Sequence, residues 1–207
     1  MFQPRPRFIA LMVVYTVLAR LTPWILWKNG MDIDPETTVY PWNFSPLMAI
    51  CLYGAANYKN RQWAFLIPLG ALFLSDLGIL AITEKLSWAF YPSQVFVYGC
   101  FALSIGMGML LRKQRSALKI TGTALVSEVI FFIVTNFGVW AFGSFYTPNA
   151  AGLVLCYTAA IPFFKLSLIS TAVFTTLMFS PLGVKQEILV SAPEADGLQP
   201  VPVPVNK

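Results

Sequence analysis

Residues 128–165 read EVIFFIVTNFGVWAFGSFYTPNAAGLVLCYTAAIPFFK. A carboxylate sits inside the first apolar run and an ammonium inside the second. Between them, Thr135, Asn136, Trp140, Tyr146, Asn149 and Tyr157 gather around one Gly- and Pro-bearing turn. Each run continues beyond the stretch, to 120–140 and 152–179, and at about 1.5 Å per residue both are then long enough to cross the roughly 30 Å hydrocarbon core. The stretch therefore predicts a pair of membrane-crossing helices joined by a short re-crossing turn.

The rest of the chain repeats this plan. Of 207 residues, 57% are hydrophobic and 11% charged, against about 25% charged in soluble domains. So much apolar surface points to lipid as the solvent. The net charge of +5 does not indicate nucleic acid, because the basic residues fall in short clusters between apolar runs, as topology signals do. The sequence contains no His, so the commonest general base and metal ligand is missing. Cys51, Cys100 and Cys156 stand in separate apolar runs without metal-type spacing and read as small core residues. MFQPRPR followed by residues 8–19 resembles the start of a signal peptide. Arg20 then follows without a small-residue cleavage pattern, and the apolar run resumes to Trp27, so an uncleaved first helix is expected.

The expected architecture is all-α, with spans at 8–27, 46–58, 63–82, 93–111, 120–140 and 152–179. Residues 1–183 form the membrane domain, and 184–207 form an extended, polar, disordered tail. Span 46–58 is short. At about 1.5 Å per residue it covers only roughly 20 Å, so it either begins in the preceding WNF segment or sits among other helices. The fourth span carries Ala102 and Gly106, and Ser104 and Gly108, each pair four apart, as close helix packing requires. Pro162 in the long sixth span predicts a kink or tilt. Six spans put both termini on one side. Lys and Arg cluster at 5–7, 59–61 and 112–119 and in the tail at 185 and 207, while the other side holds Lys28 and Lys85. The positive-inside rule then places both termini in the cytoplasm. A bacterial inner membrane is the expected location.

Four ionisable residues fall inside spans: Arg20, Asp76, Glu128 and Lys165. Each costs about 2.5–3.5 kcal/mol at a helix centre. Arg20 and Asp76 both lie about 10 Å below the same end of their helices, which predicts an Arg20–Asp76 pair. Glu128 and Lys165 lie nearer mid-depth, and a second pair is compatible with their positions. The charges read either as pairs that fix helix register or as groups that carry an ion or bind a solute.

Polar and aromatic side chains concentrate at the outer ends of the spans. A pocket needs an apolar wall and a few fixed hydrogen-bonding groups, and Asn43, Gln94, Asn136, Trp140 and Tyr157 are the candidates. An aromatic interface belt accounts for some of the same residues. Catalysis is not expected. Ser75 and Asp76 are adjacent and so point to different helix faces, no His activates Ser or Cys, and no glycine-rich phosphate loop occurs. No metal or cofactor is expected.

The segments WNFSP, YGAANYKNRQWAFLIPL, LSDLGI, PSQVFVYG, FFIVTNFGVW and GLVLCYTAAIPFFK, between Pro41 and Phe179, resemble an uncharacterised family of bacterial six-span membrane proteins. The layout is also similar to the S components of energy-coupling factor transporters. That likeness implies a six-helix bundle with cytoplasmic termini. It further implies an outer-face site for a vitamin or metal ion, and work with a transmembrane coupling subunit and two ATPases. The chain departs from the S-component pattern on the first helix, where Ala10 is followed four residues later by Val14. It also lacks the N-terminal His of metal-specific relatives, so the likeness implies a vitamin-like organic solute. The resulting expectation is solute binding and uptake, and the alternative is a non-transporting structural or assembly protein of the membrane.

Overall fold

The structure is a computed structural model that describes residues 2–31, 44–113 and 115–186. In chain order it contains β1 (Phe2–Pro4), α1 (Pro6–Lys28), α2 (Leu47–Asn57), α3 (Arg61–Thr83), the single-turn α4 (Leu86–Ala89) and α5 (Gln94–Gly108). A 3-10 turn at Met109–Arg112 extends α5, and α6 (Ala117–Phe142), α7 (Ala150–Phe179) and β2 (Val184–Gln186) follow. Among the described residues, five helical segments are long and apolar enough to cross a membrane: Pro6–Lys28, Arg61–Thr83, Leu86–Arg112, Ala117–Phe142 and Ala150–Phe179. The chain is thus an all-α bundle of an integral membrane protein.

Local sequence sets the helix boundaries. Pro6 opens α1 at a first-turn position, where its missing N–H costs nothing. Asn60, Ser116 and Asn149 cap α3, α6 and α7, their side-chain oxygens accepting from the N–H groups of Gln62, Lys119 and Gly152 at 2.9, 3.2 and 2.8 Å. α3 ends on Glu84 in the left-handed region at φ 58°, a conformation normally taken by Gly. α7 is continuous through Pro162.

The short helix α2 is the hub. All eleven of its residues are buried, and it packs against α1, α3, α5, α6 and α7. Its length, about 16 Å at 1.5 Å per residue, cannot span a bilayer, but α2 never faces lipid. Its C-terminal carbonyls would be orphaned inside the bundle. Two arginines from the α5–α6 connection satisfy them. Arg112 donates to the carbonyls of Ala55 (2.7 Å) and Tyr58 (2.6 Å), and Arg115 donates to Asn57 Oδ1 (2.7 Å) and the Ala56 carbonyl (2.5 Å). Cationic groups at a helix C-terminus also complement its dipole. Close packing against α5 runs through Gly108, where a β-carbon would come within 2.9 Å of Ala55 Cβ and 3.0 Å of Leu52 Cα. Of the two small-residue pairs, Ser104–Gly108 is buried, and Gly108 lies at this contact. Gly106 faces open space.

The segment from Val184 differs from the expected disordered tail at its start. β2 pairs antiparallel with β1, with Phe2 opposite Gln186 and Pro4 opposite Val184. The buried Tyr53 hydroxyl donates to the Gly183 carbonyl at 2.7 Å, and Val184 joins a cluster with Ile9, Met12, Ile50 and Met178. Apolar contact and a main-chain ladder outweigh the polar composition there. The entry to α1 and the exit from α7 therefore lie side by side. Arg112 and Arg115 bind the end of α2 at this same end of the bundle, which carries most of the basic residues.

Candidate functional site

The stripe Glu128, Phe131, Phe132, Thr135, Asn136 and Val139 follows the i, i+3, i+4, i+7, i+8, i+11 spacing that makes one face of a helix. Cys156, Ala159, Ala160, Phe163, Phe164 and Ser167 repeat the same spacing on α7. The two stripes face a common cavity of about 630 Å³. Its other walls come from Ala19, Arg20, Pro23 and Trp24 on α1, Leu47 and Met48 on α2, Asp76 and Ile79 on α3, and Phe101 on α5. Ala159 and Ala160 leave the space that larger side chains would fill. The cavity extends from Trp24, Trp88, Tyr91 and Tyr146, at the end of the bundle remote from the strands, to Glu128 and Ser167 at mid-span.

Three charged side chains line this space. Arg20 Nη2 donates to Asp76 Oδ1 at 2.7 Å, which is the pair that helix depth predicts. Asp76 is 1% exposed, and its Oδ2 accepts from Gln94 Nε2 and Tyr98 Oη, each at 2.6 Å. Three donors from α1 and α5 thus hold one carboxylate of α3, and charge-assisted bonds of this kind are the strong ones. Arg20 keeps about a third of its side chain exposed, and its Nε is buried without a partner.

Glu128 is held differently. Its carboxylate accepts from Ser167 Oγ at 2.7 Å and Thr171 Oγ1 at 2.5 Å, both on α7. Among the described residues no cation stands within ion-pair distance of it. Lys165 is exposed and takes no part in the cavity. The possible Glu128–Lys165 pair does not form, because Lys165 lies about 200° around the helix from both Phe163 and Ser167. Asp76 and Glu128, which reach into the bundle from different depths, nevertheless border the same cavity.

The predicted pocket residues separate. Asn136 lines the cavity, with its Nδ2 donating back to the Phe132 carbonyl at 2.7 Å. Gln94 is buried and spends its amide on Asp76. Trp140 donates to the Thr147 carbonyl at 3.0 Å and braces the α6–α7 turn. Tyr157 donates to the Ile133 carbonyl at 2.7 Å and packs on Phe132. Neither Trp140 nor Tyr157 borders the cavity. Asn43 lies outside the described residues.

Trp24 and Tyr146, which the sequence reading placed at the membrane interface and the turn, line the cavity although they are not among the predicted pocket residues, and sequence reasoning missed Trp88 and the cavity-lining Phe131, Phe132, Phe163 and Phe164 altogether. Trp24 and Trp27 meet Trp88 with ring centroids 5.2 and 4.9 Å apart, and Lys85 Nζ sits 3.9 Å from the Trp88 ring centroid. The repeated spacing on α6 and α7 was the available signal. All three cysteines are free and buried. Among the described residues no three His, Cys, Asp or Glu side chains group as metal ligands would.

No curated protein and no solved structure matches the chain. A family model does match, over residues 1–190, and it covers every helix that builds the cavity. The chain belongs to that family, a family of unknown function designated DUF6580.

Proposed function

We propose that the chain binds a small organic solute of vitamin size in this cavity and serves its uptake. The observation that carries the reading is the cavity itself. Its volume of about 630 Å³ falls within the roughly 300–1,000 Å³ range of small-molecule sites. Its walls are aromatic and aliphatic with a few placed polar groups, including Arg20, Asn136 and Glu128. Charges kept at membrane depth beside such a space are functional candidates by default. The basic end of the bundle faces the cytoplasm of a bacterial inner membrane under the positive-inside rule. The Trp and Tyr rim then faces outward. The role is non-enzymatic. Because the chain has no phosphate-binding loop, energised uptake requires a transmembrane coupling subunit and ATPases supplied by other chains.

The test uses purified full-length protein and a panel of water-soluble vitamins, read by thermal unfolding and by fluorescence of the rim tryptophans. A solute at one hundred times its Kd stabilises by about 2.7 kcal/mol, a shift of several degrees. Ala160→Trp should fill the cavity and abolish the response while leaving the fold intact. If no panel member shifts the transition and no small molecule co-purifies, the uptake reading fails. One observation favours the alternative of a structural or assembly protein: each buried carboxylate already has hydrogen-bond donors within the bundle. On that reading, Ala160→Trp changes no ligand response, and only stability depends on the charges.

A further inference from the structure

Lys165 presents a different chemistry. It stands in the middle of α7, which runs from Ala150 to Phe179. At about 1.5 Å per residue, both helix ends are roughly 20 Å away. A hydrocarbon core of about 30 Å centred on α7 puts either interface about 15 Å from Lys165, beyond the reach of a four-carbon side chain. Lys165 is nevertheless exposed on the outer surface of the bundle. The cavity-facing side of α7 lies about 200° away.

No acid of the described fold meets it. Asp76 and Glu128 are 1% and 2% exposed and already bonded, and Glu84 lies at the bundle end beside Lys28. The same surface carries further unsatisfied polarity. Thr158 and Pro162 are exposed about two turns and one turn before Lys165, respectively. Pro162 has no N–H to give the Thr158 carbonyl, so that oxygen lacks its helical partner. Ala172 and Thr176 continue the exposed line toward the end of α7. Lipid can neutralise neither the ammonium nor the carbonyl.

We infer that this face of α7 docks a transmembrane helix of another polypeptide, one that carries an Asp or Glu at mid-membrane depth to pair with Lys165. Charge complementarity selects the occupant. A second copy of this chain does not fit, because its own embedded carboxylates are sealed inside its bundle. The inference rests on the membrane reading of the fold and is independent of solute binding.

The full-length protein, labelled with a fluorescent donor, is reconstituted in phosphatidylcholine vesicles. The probes are acceptor-labelled Leu/Ala-rich transmembrane peptides bearing one central Glu, Gln or Lys. Energy transfer should show the Glu peptide binding about tenfold tighter than the Lys peptide, the scale expected for a polar contact between helices in lipid. Lys165→Leu should abolish that preference and Lys165→Glu should reverse it. Because the side chain is exposed and lies outside the cavity, both variants should fold, and unchanged thermal unfolding verifies this. Equal binding of the three peptides, or a preference that survives Lys165→Leu, overturns the proposal. So does self-association that depends on Lys165. An increase in Glu-peptide binding when Asp32, Asp34 and Glu36 are neutralised would show that the chain's own loop occupies the site, and would overturn it as well.

Discussion

Replacing Arg20 with Leu should destabilise the bundle, and replacing Asp76 as well should not add a second full cost. Asp76 is 1% exposed and receives three donors at 2.6–2.7 Å, of which Arg20 supplies the only positive charge. Removing one partner of a buried ion pair costs about 3–5 kcal/mol, because the remaining charge stays buried. Arg20 keeps 30% side-chain exposure, which moves the expected loss for Arg20→Leu toward about 3 kcal/mol. Asp76→Leu strands the guanidinium, the Gln94 amide and the Tyr98 hydroxyl together, and each orphaned donor costs about 1–3 kcal/mol. Its loss should reach about 5 kcal/mol. The double variant buries no charge, but it still strands Gln94 and Tyr98. It should therefore be no less stable than Asp76→Leu alone, which gives a coupling of about 3 kcal/mol, the upper end of the usual range for contacting pairs. Denaturant unfolding of the four proteins in one detergent or lipid system measures this cycle. Additive losses, with coupling below about 0.5 kcal/mol, would refute the assignment of Asp76 as the tie between α1, α3 and α5.

Three further outcomes can be checked by the same unfolding assay. Thr171→Val keeps the side-chain shape but removes the 2.5 Å donor to Glu128, so it should cost about 1.5–3 kcal/mol; Glu128→Leu in that background should cost much less than Glu128→Leu in the wild type. Gly108→Ala forces a methyl to within 2.9 Å of Ala55 Cβ and should destabilise by about 1–3 kcal/mol, whereas Gly106→Ala, with nothing nearby, should be neutral or slightly stabilising. Glu84→Gly relieves a left-handed residue at φ 58° and gives up only an exposed 4.0 Å contact to Lys28, so it should stabilise by up to about 1 kcal/mol.

Much of the fold is legible in the residues because the bilayer imposes one-dimensional rules. Apolar runs of sufficient length mark α1, α3, α5, α6 and α7, and the Asn60, Ser116 and Asn149 caps lie within a few residues of the expected starts. Helix depth alone pairs Arg20 with Asp76, because two opposite charges at one level in lipid have few other partners. The site was harder to read for a physical reason. In a soluble protein, polar and apolar residues alternate with the helical period and reveal which face is buried. Here the lipid-facing and cavity-facing sides of α6 and α7 are both apolar, and the period carries little contrast. Polar side chains near the turn attracted attention instead, yet Trp140 and Tyr157 spend their polar atoms on the α6–α7 turn and on α6 itself.

The sequence by itself determined the membrane class, the helix boundaries, the clustering of basic residues at one end and the first ion pair. Each follows from local composition or from distance along a single helix. Only the tertiary structure decided that α2 is a buried hub capped by Arg112 and Arg115, and that the start of the C-terminal tail pairs with the N-terminus. It also decided that Asp76 and Glu128 share one cavity and that Lys165 turns away from Glu128 to the bundle surface. These facts depend on the rotation of each helix about its axis and on which helices are neighbours. Uniformly apolar helices leave both undetermined until side chains pack.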